Sequence, residues 1–327
     1  MSNLKSALYY DPTAMFEVDS RDVEYLNVDG VTLVATVFQP RGQGPFPMLI
    51  DVHGGGWRLF SRTRQRPIDL ELASHGIEVV SLDFRQAPPT STFTRVDGPY
   101  APYPATFSDV NFGIRWFKAH AAEFNANAEG VGALGVSSGA HNVLINAMLG
   151  HEAPFTATTL PNADSVDASL AYIVCSGSPV DLVDMMVDAN VTEAAPGIEV
   201  GEPDFYGLHE YFGGVKEVTA LSPLHIVSSR TDIATPPLLL IHGDADDMGG
   251  VSTDRQVAFA GAYAKAGGIV ELAIYPDAPH IFLNRGLAPE SENLVRALAG
   301  IAGFIQRQLA YTDQPFNPVA GSATDTV

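Results

Sequence analysis

The chain is short of cysteine, of positive charge and of long apolar runs, and each shortage removes a class of protein. A single cysteine, Cys175, stands among 327 residues, so no intrachain disulfide can form. It falls inside the apolar run Leu170 to Ser176, where packing is the expected role of a buried thiol. Lys and Arg together number 18 against 38 Asp and Glu, giving a formal net charge of −20 and a pI of about 4.6. Nucleic-acid binding needs a positive footprint, and so does attachment to an anionic lipid surface, so neither partner is expected. The same acidity argues against a strongly anionic substrate unless a local arginine meets it. No stretch is long and apolar enough to span a bilayer, and the segment Met1 to Asp11 lacks the apolar centre of a signal peptide. The cytoplasm is therefore the expected location. No Cys–His spacing suggests zinc, and neither a P-loop nor a dinucleotide fingerprint occurs, so no metal and no organic cofactor are expected. Internal repeats and low-complexity tracts are also missing.

What remains is a globular composition, 46% hydrophobic, in a length that suits one large α/β domain, 1–327. Val23 to Val28 and Val31 to Phe38 alternate apolar and polar around Asp29-Gly30, the signal of a tight hairpin. Met48 to Val52, Ile77 to Asp83, Val131 to Val136, Leu170 to Cys175, Leu238 to Ile241 and Val270 to Tyr275 are continuous apolar runs. Such runs fit strands of a parallel sheet covered on both faces. Helical patterns fall between them, at Ile68 to Ser74, Ala105 to Phe124, Ala140 to Leu149, Thr253 to Lys265 and Glu290 to Leu309. The alternation predicts a doubly wound, mostly parallel sheet. Residues 1–22 are expected to form helix or loop that folds over the site, and 312–327 a loosely held polar tail. Gln86 to Tyr103, rich in proline, reads as a lid, a binding loop or a plain surface insertion.

One stretch carries chemistry. Gly135-Val136-Ser137-Ser138-Gly139 reads G-x-S-x-G between an apolar run and a helical one. A serine on a sharp strand-to-helix turn has its hydroxyl thrust into the open. The glycines are needed because strand and helix cross closely there. A serine hydroxyl needs a base, an orienting acid and an oxyanion site. His53-Gly54-Gly55-Gly56-Trp57 follows one strand and leaves bare backbone N–H groups, with Ser138 N–H supplying another donor. Such donors contribute roughly 3–4 kcal/mol each in the transition state. Ile241-His242-Gly243-Asp244-Ala245-Asp246-Asp247 runs from a strand into an acidic turn. Pro276-Asp277-Ala278-Pro279-His280 follows the last strand. Every part sits just past the carboxyl end of a strand, where open parallel sheets bind ligands.

These residues resemble the α/β-hydrolase fold carboxylesterases, and in particular the bacterial hormone-sensitive-lipase-like esterases. Ser81-Leu82-Asp83-Phe84-Arg85-Gln86-Ala87-Pro88 matches a family segment that follows the glycine-rich loop. His242-Gly243-Asp244-Ala245-Asp246 is closer to dienelactone-hydrolase-like relatives, and Ser137-Ser138-Gly139-Ala140-His141 to the kynurenine-formamidase branch. The resemblance implies an α/β-hydrolase fold, with Ser137 as nucleophile, Asp246 as acid and His280 as base. It implies Gly55, Gly56 and Ser138 as oxyanion donors, with Gly54 beside them. It also implies a helical cap in 178–230, where Tyr206 and Phe212 are candidates for an apolar substrate pocket, with packing of the cap onto the body as the equal alternative. Asp247 is the rival acid, and Asp244 reads as a turn-former.

Trp57 and Arg58, which follow the glycines, are candidates to line the pocket, with loop anchoring as the alternative for Trp57. His53 reads as a brace for the loop, and His141 as facing the interior. Asp83 and Arg85 read as an ion pair at a strand end. Arg58, Arg62, Arg64 and Arg66 form a basic island that reads as paired with surface acids, with binding of a carboxylate as the alternative. The activity so implied is hydrolysis of small or medium carboxylic esters through an acyl-enzyme. An amidase, formamidase or carbamate hydrolase using the same three residues is the rival, followed by a non-catalytic receptor and a carbon–carbon lyase. The partner is then a small ester or amide, and a homodimer is compatible with the group.

Overall fold

The computed structural model describes residues 15–163, 165–187, 204–283 and 291–311. Among them, eight strands form one sheet in the order β1-β2-β4-β3-β5-β6-β7-β8. β1 (Val18–Val28) and β2 (Val31–Pro40) make the expected antiparallel hairpin, with Asp29 and Gly30 both at positive φ in its turn. β2 is also antiparallel to β4 (Glu78–Leu82). From there the sheet is parallel through β3 (Phe46–Val52), β5 (Ala126–Val136), β6 (Ile173–Ser176), β7 (Leu238–Gly243) and β8 (Val270–Tyr275). Every residue of β3, β6 and β7 is buried, the property that their unbroken apolar runs encode.

Alternate residues of each strand serve different cores. Met48, Ile50, Val52, Ala133, Ile173 and Leu240 join one cluster, while Leu49, Leu134, Val174 and Ile241 join the other. The first cluster is covered by α2 (Ala105–Ala119), α3 (Ser138–Leu149) and, toward β7 and β8, α8 (Thr253–Lys265). The second lies under α1 (Arg66–Ser74) and α9 (Glu292–Tyr311). Between β6 and β7 run α4 (Leu182–Val187), α5 (Leu208–Phe212), α6 (Val215–Ala220) and α7 (Pro223–Ser229). The chain leaves β3 for β4 on one side and then crosses to β5 on the other. That reversal puts a crevice at the carboxyl ends of β3 and β5.

Some expectations need correction or fall outside the described residues. Residues 18–22, expected in a segment folding over the site, instead begin β1, whose pairing with β2 extends from Val18↔Pro40. The backbone ladder there outweighs the exposed, charged side chains that make the stretch look like loop. Residues 1–14, 188–203 of the insertion and the tail 312–327 lie outside the described residues. Asp83 and Arg85 are not a pair. Asp83 takes Arg62 at 2.5 Å, and Arg85 takes Asp109 at 2.8 Å and Asp29 at 2.5 Å. Successive residues past a strand end point apart, so each finds its partner on a different element. Cys175 is buried with its Sγ 3.8 Å from the Ala140 carbonyl, and burial pushes its thiol well up, as suits a packing role.

One polar feature interrupts the second core. Asp51 of β3 and Asp69 of α1 are both fully buried. Gln65 and Ser81 donate to Asp51, the latter at 2.9 Å, whereas among the described residues the Asp69 oxygens have no donor other than a proton on Asp51 itself. Arg66 is the nearby cation and makes no salt bridge to either among the described residues. Two carboxyls so placed cannot both ionise, and sharing a proton is their favourable arrangement. Burial raises Asp51 to about 7 and pushes Asp69 well above the usual range. The folded state thus holds protons that the unfolded chain releases near pH 4. The contribution of this pair to stability is complete below that pH and declines as pH climbs toward 7. Unfolding free energy contributed by the site is expected to fall between pH 5 and 8. In Asp69→Asn the amide can donate to an ionised Asp51, and the loss should shrink by more than half. Urea unfolding across that range measures it, and equal losses in both proteins would refute the shared proton.

Candidate active site

Ser137 sits between the end of β5 and the first residue of α3 with φ 55° and ψ −125°. A side-chain-bearing residue there costs on the order of 1–3 kcal/mol, so the surroundings must impose the conformation. They do so by packing backbone on backbone. A Cβ on Gly135 would lie 2.5 Å from the Gly139 carbonyl oxygen, and one on Gly139 would lie 2.0 Å from the Val52 oxygen. Ser137 N–H also donates to the Ser176 carbonyl at 2.8 Å, fixing the turn to β6.

The serine hydroxyl so presented meets His280. Ser137 Oγ and His280 Nε2 are 3.0 Å apart, and His280 Nδ1 and Asp246 Oδ2 are 2.6 Å apart. With the Asp246 carboxylate accepting from Nδ1–H, Nε2 is left as the acceptor for the serine proton. The Asp246 side chain is 2% exposed and that of His280 15%. The loops that carry them are knitted together. Ala245 N–H donates to the Ala278 carbonyl at 3.1 Å, and Asp277 N–H to Asp244 Oδ1 at 2.6 Å. Asp244 is therefore the turn-former. Asp247 is exposed and Asp246 buried, so the two candidate acids separate by burial. Gly177 completes the arrangement. Its φ is 55°, and a Cβ would touch His280 Nδ1 and Cε1 at 3.3 Å, so the imidazole rests on it. Nothing in the sequence singled out Gly177, although a glycine directly after the β6 run was the available signal.

The glycine-rich loop lies against the same turn. A Cβ on Gly54 would stand 2.6 Å from the Val136 oxygen, and Gly55 and Gly56 take φ of 116° and 59°. Trp57 N–H donates to Ser138 Oγ at 3.0 Å, so the Ser138 hydroxyl pins this loop to α3. That side-chain role escaped the sequence, which pointed only to the Ser138 backbone. The N–H groups of Gly55, Gly56 and Ser138 meet no acceptor among the described residues. His53 braces the loop. Its ring stacks on Phe84 at 4.4 Å, and its Nδ1 lies 2.8 Å from the Gly54 carbonyl, placed to donate to it.

The remaining candidates divide. Trp57 and Phe212 are 2% and 3% exposed and pack edge to face at 6.0 Å, as the anchoring alternative expects. Burial against neighbouring rings stabilises both. Tyr206 is half-buried, and its ring would lie 2.9 Å from a Cβ on Gly56, directly over the glycine loop. Arg58 is fully buried under that loop. His141 is fully buried, places Nε2 2.9 Å from the Leu221 carbonyl and is brought down to about 4 by desolvation, so it is a neutral interior group. Of the basic island, Arg62 pairs with Asp22 and Asp83, as expected of it. Arg64 instead lies over the Phe60 ring, at 4.3 Å.

Among the described residues no cluster of three or more His, Cys, Asp or Glu is placed to hold a metal ion, and no helix is long and apolar enough to cross a membrane.

With this geometry in view, known proteins become comparable. Residues 36–260 match the family model described as BD-FAE. Esterase LipQ of Mycobacterium tuberculosis is 26% identical over 240 residues, covering 72% of this chain and 50% of that protein. Carboxylesterase NlhH of the same species is 23% identical over 282 residues, 83% of this chain and 76% of the relative. The chain thus spans about half the length of LipQ. Two solved structures share the fold. Esterase LipW of Mycobacterium marinum superposes with a TM-score of 0.67 at 22% identity, over 89% of this chain and 82% of that one. The propionate-bound esterase Est2 of Thermogutta terrifontis does so with a TM-score of 0.64 at 22% identity, over 92% and 97%. The glycine loop, the elbow and the turn after β7 all fall within the matched span, and the chain belongs to the BD-FAE family, on an α/β-hydrolase fold.

Proposed function

We propose that this protein is a serine hydrolase that cleaves carboxylic esters of small or medium size through an acyl-enzyme. The observation that carries the reading is the unbroken hydrogen-bonded chain from Ser137 Oγ through the His280 ring to Asp246, beside backbone N–H groups with no acceptor among the described residues. His280 Nε2 takes the proton as Ser137 Oγ attacks the ester carbonyl. The carbonyl π electrons move onto oxygen, and the N–H groups of Gly55, Gly56 and Ser138 hold that charge. Asp246 keeps the imidazole in the useful tautomer and stabilises its cation. The tetrahedral adduct collapses, the C–O bond to the alcohol breaks, and His280 returns the proton to the departing oxygen. Water, deprotonated by the same imidazole, then attacks the acyl-serine ester and releases the acid. The described parts of the insertion, 178–187 and 204–230, act as a cap, with Tyr206 lying over the glycine loop. The esterase names of LipQ and NlhH point the same way.

A fluorophosphonate probe should label the native protein at one residue, and Ser137→Ala should abolish labelling; no label on the native protein would favour a non-catalytic receptor. Asp246→Asn leaves the geometry but inverts the tautomer, so kcat on a p-nitrophenyl ester should drop about 10⁴-fold. Asp247→Asn should stay within about twofold, because that side chain is solvated. The reverse ranking would move the acid to Asp247. A matched aryl amide should turn over far more slowly than the ester, and preference for the amide would shift the assignment to amidase.

A further inference from the structure

Among the described residues, Arg58 is a buried cation with no carboxylate hydrogen-bonded to it. It is fully buried, and its guanidinium binds carbonyl oxygens from three separate segments. Nε–H donates to Pro88 at 2.7 Å, and Nη1–H donates to Tyr206 at 2.7 Å and, more weakly, to Gly56 at 3.4 Å. Nη2 is buried with no acceptor among the described residues. Phe93 and Tyr211 present their ring faces, each 5.5 Å from the guanidinium carbon. The nearest carboxylates are engaged elsewhere. Asp204 caps Leu208 and His209 N–H, and Glu210 accepts from Ser91. The backbone is tied as tightly. Arg58 N–H donates to Gly55, Asp97 N–H to the Arg58 carbonyl, and Ala87 N–H to the Trp57 carbonyl.

This is an expensive arrangement for a purely structural clip, since packed apolar side chains would fill the space without burying an unpaired charge. Desolvation brings Arg58 down to about 10, which still leaves it charged near neutrality. Asp204 and Glu210 act on it only through space, and a cation in a dry setting acts over several ångströms; this one donates to the Gly56 carbonyl. We propose that Arg58 is a positioning residue for the oxyanion loop. Its fork fixes the Gly55-Gly56 turn against Tyr206 and Pro88, and its charge favours a negative oxygen at the adjacent N–H groups. The proposal deepens the serine-hydrolase reading and rests on it. The planar fork holds carbonyls of three segments in one fixed geometry, which lysine, a point charge on a flexible stem, does not reproduce.

The test compares wild type, Arg58→Lys and Arg58→Met on p-nitrophenyl acetate. Active sites are counted with a fluorophosphonate, and folding is followed by circular dichroism. Arg58→Lys should lower kcat about 10-fold and Arg58→Met about 100-fold, toward the effect of losing one oxyanion donor. KM should stay within about threefold. Affinity for a trifluoromethyl ketone, whose hydroxyl adduct carries the oxyanion, should weaken in step with kcat/KM. If Arg58→Met fails to fold, Arg58→Lys carries the comparison, because it keeps the charge and most of the stem. A folded Arg58→Lys with kcat within twofold of wild type overturns the proposal, as does a loss confined to KM. A wild-type protein that is neither labelled nor active fails differently, since it removes the hydrolase reading itself.

Discussion

Backbone packed on backbone, with no side chain between, is the constraint on which the rest of this site depends. α3 crosses the carboxyl ends of β3 and β5 so closely that Gly139 nearly touches Val52, Gly135 nearly touches Ala140, and Gly54 nearly touches Val136. That approach forces Ser137 to a positive φ. It also brings Trp57 N–H within reach of Ser138 Oγ, so that the glycine loop and the serine turn form one rigid unit. The strain at Ser137 is then offset by the surrounding core: Val136, Ala140 and Val143 are completely buried and leave the turn no cheaper conformation.

The other half of the site is built differently. His280 and Asp246 stand on loops after β8 and β7, and loops need crosslinks to be precise. Here hydrogen bonds between the 243–246 turn and the 275–278 turn supply them, and Gly177 gives the imidazole a flat floor. Asp244, which has no contact with the histidine among the described residues, positions it by holding the neighbouring peptide. The two halves meet at the 3.0 Å contact between Ser137 and His280 and through Gly177, beside the residue that anchors the serine turn. A movement of either loop pair would therefore register there first.

The fold was legible because its signals are redundant. Six continuous apolar runs, each followed by a helical pattern or a glycine turn, leave little besides a parallel sheet buried on both faces. The three residues now joined by hydrogen bonds were legible for the same reason, since each follows a strand at the same edge. What escaped was whatever depends on side-chain direction or on partners far along the chain. Asp83 and Arg85 are two apart and looked paired, yet their partners are Arg62 and Asp109. Val18 to Asp22 is too charged to read as strand and is held by its ladder to β2. For Trp57 and Phe212 composition left pocket lining and packing both open, and only Phe107, Tyr103 and His141 around them reveal the layer in which they pack.

The lone thiol has a use that its chemistry alone does not suggest. Cys175 lies mid-sheet in β6, one residue from Ser176, which anchors the serine turn, and solvent does not reach it. A thiol-specific dye can attach only to molecules whose central sheet has come apart, because no surface cysteine competes for it. The chain thus carries its own gauge of global opening. Rates of dye uptake would rank variants by how often their centre is breached, without any engineered label.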